Sequence, residues 1–219
     1  LNDADELATN TASSNDPAVT LNSVDGTSEA GSHIIEVSQL ALEQRVKSAE
    51  YSTSNASLNS GSAFDITFAV GATSTTNSTV TVKVDTPAGV VSAINDADMG
   101  ITASLIDTGI AGANYRIVLS GATGSEGAFS VSSTPDLGFA TPANSLQSAQ
   151  DASLEFNGLA VTRSSNEVSD LITGATLTLN AVTSSAARLT VSSDKSTLKT
   201  GIENVVTVYN DFRDIMDTF

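Results

Sequence analysis

Polar and apolar positions alternate along most of this chain, and near its C-terminal end they recur at helical spacing instead. Alternation puts every second side chain on one face, which predicts half-buried β-strands at residues 18–24, 32–40, 64–70, 79–84, 101–106, 115–120, 128–133, 154–156, 159–162, 176–182 and 188–192. Residues 41–51 continue in a more charged, edge-like way. Thr86 is placed to cap a short helix with Pro87 in its first position, and that helix carries Val90, Val91 and Ile94. A helical turn is predicted over 167–172, and residues 1–16 read as the frayed end of a helix in which Leu1, Leu7 and Ala8 share a face, with Thr9 to Pro17 a polar breaker. The Ser/Asn/Gly stretch 52–62 and the polar stretch 134–150 read as linkers.

From Asp194, a candidate N-cap, apolar residues fall at Leu198, Ile202, Val205, Tyr209, Phe212, Met216 and Phe219 in alternating steps of four and three. That is the seam of a coiled coil or helix bundle, on a helix on the order of 35 to 40 Å long. The pattern stops in mid-period at Phe219, which leads to the expectation of a central fragment whose terminal helices lie elsewhere in a longer protein. The fold class expected is mainly β with an α-helical stalk: two β-rich domains, one inserted in the other, plus a partial helical bundle or coiled-coil domain. Residues 1–16 and 194–219 would form the truncated stalk, 17–60 and 146–193 the outer β-rich domain, and 61–145 the inserted β-rich domain with its short helix.

Composition narrows the function. With 9 Lys and Arg against 25 Asp and Glu, the net charge of −16 disfavours nucleic acid and anionic membranes as partners. No run approaches the roughly 20 apolar residues of a membrane helix. The absence of cysteine excludes disulfides and thiolate metal sites. Aromatics are 5 % of the chain and Trp is absent, so the core falls to Val, Leu, Ile and Ala.

No catalytic constellation emerges. The one histidine, His33, sits in an alternating strand, where a structural role outweighs that of a triad base. Asn95, Asp96, Asp98 and Gly100 imitate part of a calcium loop but lack its distal Glu, so Asp96 and Asp98 read as solvated turn residues. Asp3, Asp5 and Glu6 lack a cleft for paired-carboxylate chemistry. Gly121, Gly124 and Gly127 do not have phosphate-loop spacing and read as turn glycines, and the sequons at Asn55 and Asn77 read as chance. No enzyme activity, cofactor or metal is expected.

Three blocks carry a resemblance. Residues 153–179, with Asn157-Gly158, the run Thr162 to Asn166, and Gly174 to Leu179, resemble the signature of the flagellar filament cap family, the hook-associated proteins 2. Residues 206–210 downstream and 31–41 upstream are similar to other parts of that signature, with His33 where an aromatic is common. Residues 82–124, centred on Ile94 and Asn95 and running through Ala103 and Tyr115 to Thr123-Gly124, look like a motif shared by flagellins and hook-associated proteins. Thr173 and Ala175 depart from the family's more usual Pro and Val.

The resemblance implies an extracellular structural protein at the tip of the flagellum, exported through the flagellar type III apparatus. It implies a homo-oligomeric ring that promotes flagellin folding and filament assembly. Its implied partners are further copies of itself, flagellin, hook–filament junction proteins and an export chaperone. The seam residues Leu198, Ile202, Val205, Tyr209, Phe212, Met216 and Phe219 would form a helical interface. Two alternatives stand beside it. One is another hook-associated protein or a flagellin outer domain. The other is a surface adhesin for host or environmental glycans, which would draw on Phe64, Phe68, Tyr115, Phe129 and Phe139.

Overall fold

Alternating burial organises the computed structural model, which describes residues 9–25, 27–72, 76–112, 114–194 and 196–216. The structure is mainly β, with two α-helices, and the chain divides into two compact units. The first holds the described residues up to Ser38, then Leu154–Val161 and the described residues from Asn166 onward; the second holds Gln39–Ser153 and Thr162–Ser165.

In the first unit, β1 (Thr9–Ser14), β15 (Ala187–Asp194), β3 (Gly31–Gln39), β11 (Ala152–Phe156) and β12 (Leu159–Arg163) form one sheet in that order. A second sheet has the order β13 (Glu167–Ile172), β14 (Ala175–Leu179) and β2 (Val19–Val24). Every second residue turns inward: Ile35 and Val37, Ala175, Leu177 and Leu179, and Ala187, Leu189 and Val191 are all buried. The β11–β12 hairpin turns on Asn157 and Gly158, at φ 50° and 84°, the pair of left-handed residues that a tight hairpin requires. Asn157 also locks the turn to β3, since its Oδ1 accepts from the Ile34 N–H at 2.9 Å and its own N–H donates to the Ile34 carbonyl at 2.8 Å.

In the second unit, β10 (Ser145–Gln147), β4 (Glu43–Lys47), β8 (Tyr115–Thr123) and β7 (Thr102–Asp107) form one sheet. The other has the order β6 (Thr76–Val82), β5 (Phe64–Val70) and β9 (Phe129–Ser133). Helix α1 (Pro87–Asp96) is capped as its sequence predicts, with the Thr86 hydroxyl accepting from the Gly89 N–H at 3.1 Å. Its Val90 and Ile94 join Phe64, Ile66, Phe68, Ile117 and Leu119 in one core, with Val91 at its margin.

Several expectations are overturned. Residues 9–14, expected as a polar breaker within the helical stalk, are strand β1, because six consecutive residues pair antiparallel with β15 from Thr9↔Asp194 to Ser14↔Leu189; the expected helix contributors Leu1, Leu7 and Ala8 lie outside the described residues. Residues 167–172 are strand β13, paired to β14 across a register shift that hides the alternation. Strand β4 is not at an edge, since β10 and β8 flank it. No helical bundle is present among the described residues, and the C-terminal helix α2 (Ser196–Met216) is a single helix.

Neither linker is slack. In residues 52–62, Leu58 packs on the core of the second unit, and the Asp85 carboxylate accepts from the Ser57 hydroxyl at 2.7 Å, the Asn59 N–H at 3.1 Å and the Gly61 N–H at 2.7 Å. Those bonds favour the ionised form, the Ser57 hydroxyl most, and hold the carboxyl below its usual range. Residues 134–150 bury Leu137 and Phe139 and supply β10.

Gly124 is needed both for its φ of +92° and for space: a Cβ there would lie 2.5 Å from the Ser164 Cβ and 2.7 Å from its carbonyl oxygen. Gly124→Ala is expected to lower stability by about 2 kcal/mol or more in urea unfolding, whereas unchanged stability would mean the turn relaxes freely. Because the Asp85 carboxyl is held low, its contribution is complete above the unfolded carboxylate's range, about pH 4, and is lost as the pH falls through the folded value. Hydrogen exchange should therefore show Asn59 and Gly61 losing protection on acidification, and losing it already at neutral pH in Asp85→Ala.

Candidate functional site

Strand β15 hands the chain directly to α2, and the Asp194 carboxylate accepts from the Ser196 N–H at 2.8 Å at the start of the helix. The Ser196 bonds, side chain first, hold that carboxyl below its usual range. This bears out Asp194 as the helix-capping residue. Along α2, Lys199 and Glu203 form an exposed (i, i+4) pair at 3.7 Å, and the Thr207 hydroxyl bonds back to the Glu203 carbonyl at 2.9 Å.

Of the expected seam, Ile202, Val205, Tyr209, Phe212 and Met216 lie along one side of α2, and all are exposed. The Leu198 side chain and Phe219 lie outside the described residues. Val206, Val208 and Ile215 are exposed with them, so eight large apolar side chains stand 52 % to 67 % open to solvent. Sequence reasoning passed over these three. The signal was there in the seven-residue step from Val208 to Ile215, which adds a flank to the seam and gives the wider stripe of a core-facing bundle helix. Glu203, Asn210, Asp211 and Asp214 occupy the opposite side. An exposed apolar stripe of this extent is uncommon on monomeric soluble proteins.

The block 82–124 has a physical basis in the second unit. Ile94 is fully buried. Asn95 beside it turns its carboxamide onto β7: Nδ2 donates to the Ala103 carbonyl at 2.9 Å and Oδ1 accepts from the Ala103 N–H at 2.8 Å. Both backbone groups therefore point away from β8, and the side chain occupies the place of a neighbouring strand. Gln44 does the same for β9, donating to the Phe129 carbonyl at 2.7 Å and accepting from its N–H at 2.9 Å.

The remaining candidates are structural. His33 stacks on Phe156 with ring centroids 5.3 Å apart, and its Nδ1 lies 3.2 Å from the Asn157 amide nitrogen, so it serves the hairpin. Asp96 and Asp98 are exposed, and among the described residues no group of three metal-ligating side chains converges. Phe64, Phe68, Phe129 and Phe139 are buried and Tyr115 is partly so, which removes the aromatic platform an adhesin would need. Asp3, Asp5 and Glu6 lie outside the described residues.

The comparisons follow this geometry. The family profile described as flagellar hook-associated protein 2 C-terminus matches residues 149–218, which run from β11 through α2. The D1-D2-D3 domains of the flagellar cap protein FliD from Escherichia coli superpose with a TM-score of 0.77 at 27 % identity, covering 99 % of this chain and 69 % of that one. Residues 149–218 thus match the flagellar hook-associated protein 2 C-terminus family, and the chain as a whole resembles flagellar cap protein domains. The flagellar hook-associated protein 2 of Salmonella typhimurium is 32 % identical over 138 residues, 58 % of this chain and 28 % of that protein. The B-type flagellar hook-associated protein 2 of Pseudomonas aeruginosa is 28 % identical over 207 residues, 83 % of this chain and 42 % of that protein. The chain thus spans less than half the length of these two hook-associated proteins 2. No described helix is long and apolar enough to cross a membrane.

Asn95→Ala should remove both bonds to a partly buried strand edge and cost about 1–3 kcal/mol in denaturant unfolding of the second unit. Equal stability of the variant would show that water replaces the carboxamide without penalty.

Proposed function

We propose that this chain is the D2-D3 part, with a segment of the neighbouring helical domain, of a structural protein that caps the distal end of the flagellar filament. The observation that carries this reading is the superposition of 99 % of the chain on the cap protein's D1-D2-D3 domains with a TM-score of 0.77. In this reading the protein forms a homo-oligomeric ring at the filament tip, reaches it through the flagellar type III apparatus with an export chaperone, and meets hook–filament junction proteins and flagellin there. Its work is mechanical and templating: it promotes the folding and addition of flagellin subunits and catalyses no covalent step. The division into a stalk, an outer β domain and an inserted β domain belongs to the same proposal.

The seam of α2 is the interface we assign to assembly. Covering Ile202, Val205, Tyr209, Phe212 and Met216 would gain roughly 1.5–3 kcal/mol for each side chain fully buried, before the cost of association. Five such anchors are enough to hold copies together weakly.

In a deletion strain, the full-length protein should restore filament growth and motility, and Phe212→Ser with Met216→Ser in that protein should not. Restoration by the doubly substituted protein would remove the seam from the proposal. Failure of the unsubstituted full-length protein would count against the capping role itself. For the isolated chain, sedimentation velocity should show concentration-dependent association that the double substitution abolishes while the β-sheet circular dichroism stays unchanged.

A further inference from the structure

Asparagine followed by glycine is the pair at which a polypeptide most readily modifies itself, because the glycine N–H carries no neighbouring side chain and can attack the preceding side-chain carbonyl. The chain has one such pair, Asn157-Gly158. It stands exposed at the turn of the β11–β12 hairpin, and a Cβ on Gly158 would meet nothing within 4 Å. Water reaches the pair, and no neighbouring atom shields it.

What the fold withholds is the geometry. Ring closure joins the Gly158 nitrogen to the Asn157 Cγ, and the two come within bonding reach only when that nitrogen and the Asn157 Cβ lie on the same side of the Cα–C bond. Asn157 has φ 50°, in the left-handed region whose ψ is about +47°. At that ψ the tetrahedral Cα places the Gly158 nitrogen nearly opposite Cβ, at its farthest from Cγ. Strand β3 holds the residue there: the Asn157 N–H donates to the Ile34 carbonyl at 2.8 Å, and Oδ1 accepts from the Ile34 N–H at 2.9 Å. The other end of the carboxamide, Nδ2, lies 3.2 Å from Nδ1 of His33, whose ring is stacked on Phe156. Reaction therefore requires Asn157 to leave the left-handed region and break its bonds to β3.

We propose that Asn157-Gly158 is a self-modification site, a deamidation site that the folded first unit keeps silent and that reacts when the hairpin opens off β3. The Gly158 backbone nitrogen forms a bond to Cγ and gives its proton to a solvent base. The Cγ–Nδ2 bond breaks, and Nδ2 leaves as ammonia with a proton from water. Water then opens the cyclic imide at either carbonyl, which yields aspartate or isoaspartate with no change of oxidation state. In isoaspartate the main chain runs through the former side chain and gains an extra backbone carbon, so the two-residue turn cannot be rebuilt. A transient opening is thereby made permanent. The site stands whether or not the capping role does.

The test incubates the whole chain at physiological temperature and mildly alkaline pH, folded or in urea, beside a peptide copying residues 153–163. Peptide mass spectrometry reads the exchange of NH2 for OH at Asn157, and chromatography separates the two products. The peptide and the unfolded chain should react alike, and the folded chain at least roughly tenfold more slowly, as a reactive turn present only as a minority state requires. His33→Ala, which removes the ring from both Phe156 and the carboxamide, should speed the reaction severalfold in the folded chain and leave it unchanged in urea. Should that variant lose its β-sheet circular dichroism, His33→Phe keeps a ring on Phe156 and should show a smaller rise. Equal rates in the folded and unfolded chain would overturn the proposal, as would an Asn157 that stays intact in urea. An unchanged rate in folded His33 variants would overturn the part assigned to β3.

Discussion

Backbone N–H and C=O groups at the end of a sheet must be hydrogen-bonded somewhere, and this constraint shapes the molecule more than any single core contact. Four short open sheets in one chain produce many edges. Gln44 and Asn95 answer two of them with side chains that imitate a strand, and Asn157 ties the β11–β12 turn to β3 through both its backbone and its carboxamide. Thr183 does similar work on β3, accepting from the Val37 N–H at 2.9 Å with its hydroxyl and donating its own N–H to the Val37 carbonyl at 3.0 Å.

One feature stands out against this background. Helix α2 keeps an open apolar stripe while the apolar faces of the sheets are covered. It is the surface to which the proposed function assigns assembly. Strong negative charge elsewhere, −16 for the whole chain, opposes indiscriminate association and leaves such sparsely charged surfaces as the places where chains can meet.

Much of the fold was legible from local pattern. Strands with buried alternation, such as Phe64, Ile66 and Phe68, announced themselves, as did the Thr86-Pro87 start of α1 and the Asp194 start of α2. What escaped depended on distant partners. Strand β1 is Thr-Asn-Thr-Ala-Ser-Ser, with no apolar period, and exists through its register with β15. Strand β13 loses its alternation at a register shift. The supposed linkers carry their anchors singly, as Leu58, Leu137 and Phe139, too sparsely for any period to show. The seam of α2 was visible at its a and d positions, and the seven-residue step from Val208 to Ile215 that widens it was also in the sequence but was passed over. Nothing in the spacing of Gln44 or Asn95 distinguishes a strand-mimicking carboxamide from an ordinary surface one; the resemblance of residues 82–124 and the partial calcium-loop pattern both drew attention to Asn95, neither for this role.

The central claim is that the β-sheets hold themselves together without α2, which belongs to the first unit but leaves its apolar stripe exposed. Hydrogen exchange followed by mass spectrometry on the dilute chain addresses it directly. An isolated helix of 21 residues is only marginally stable in water, so α2 should exchange fast while β5, β8, β14 and β15 remain protected, and its protection should rise when the chain is concentrated. Protection of α2 equal to that of β15 in dilute solution would contradict the account, because the helix would then be part of the folded core.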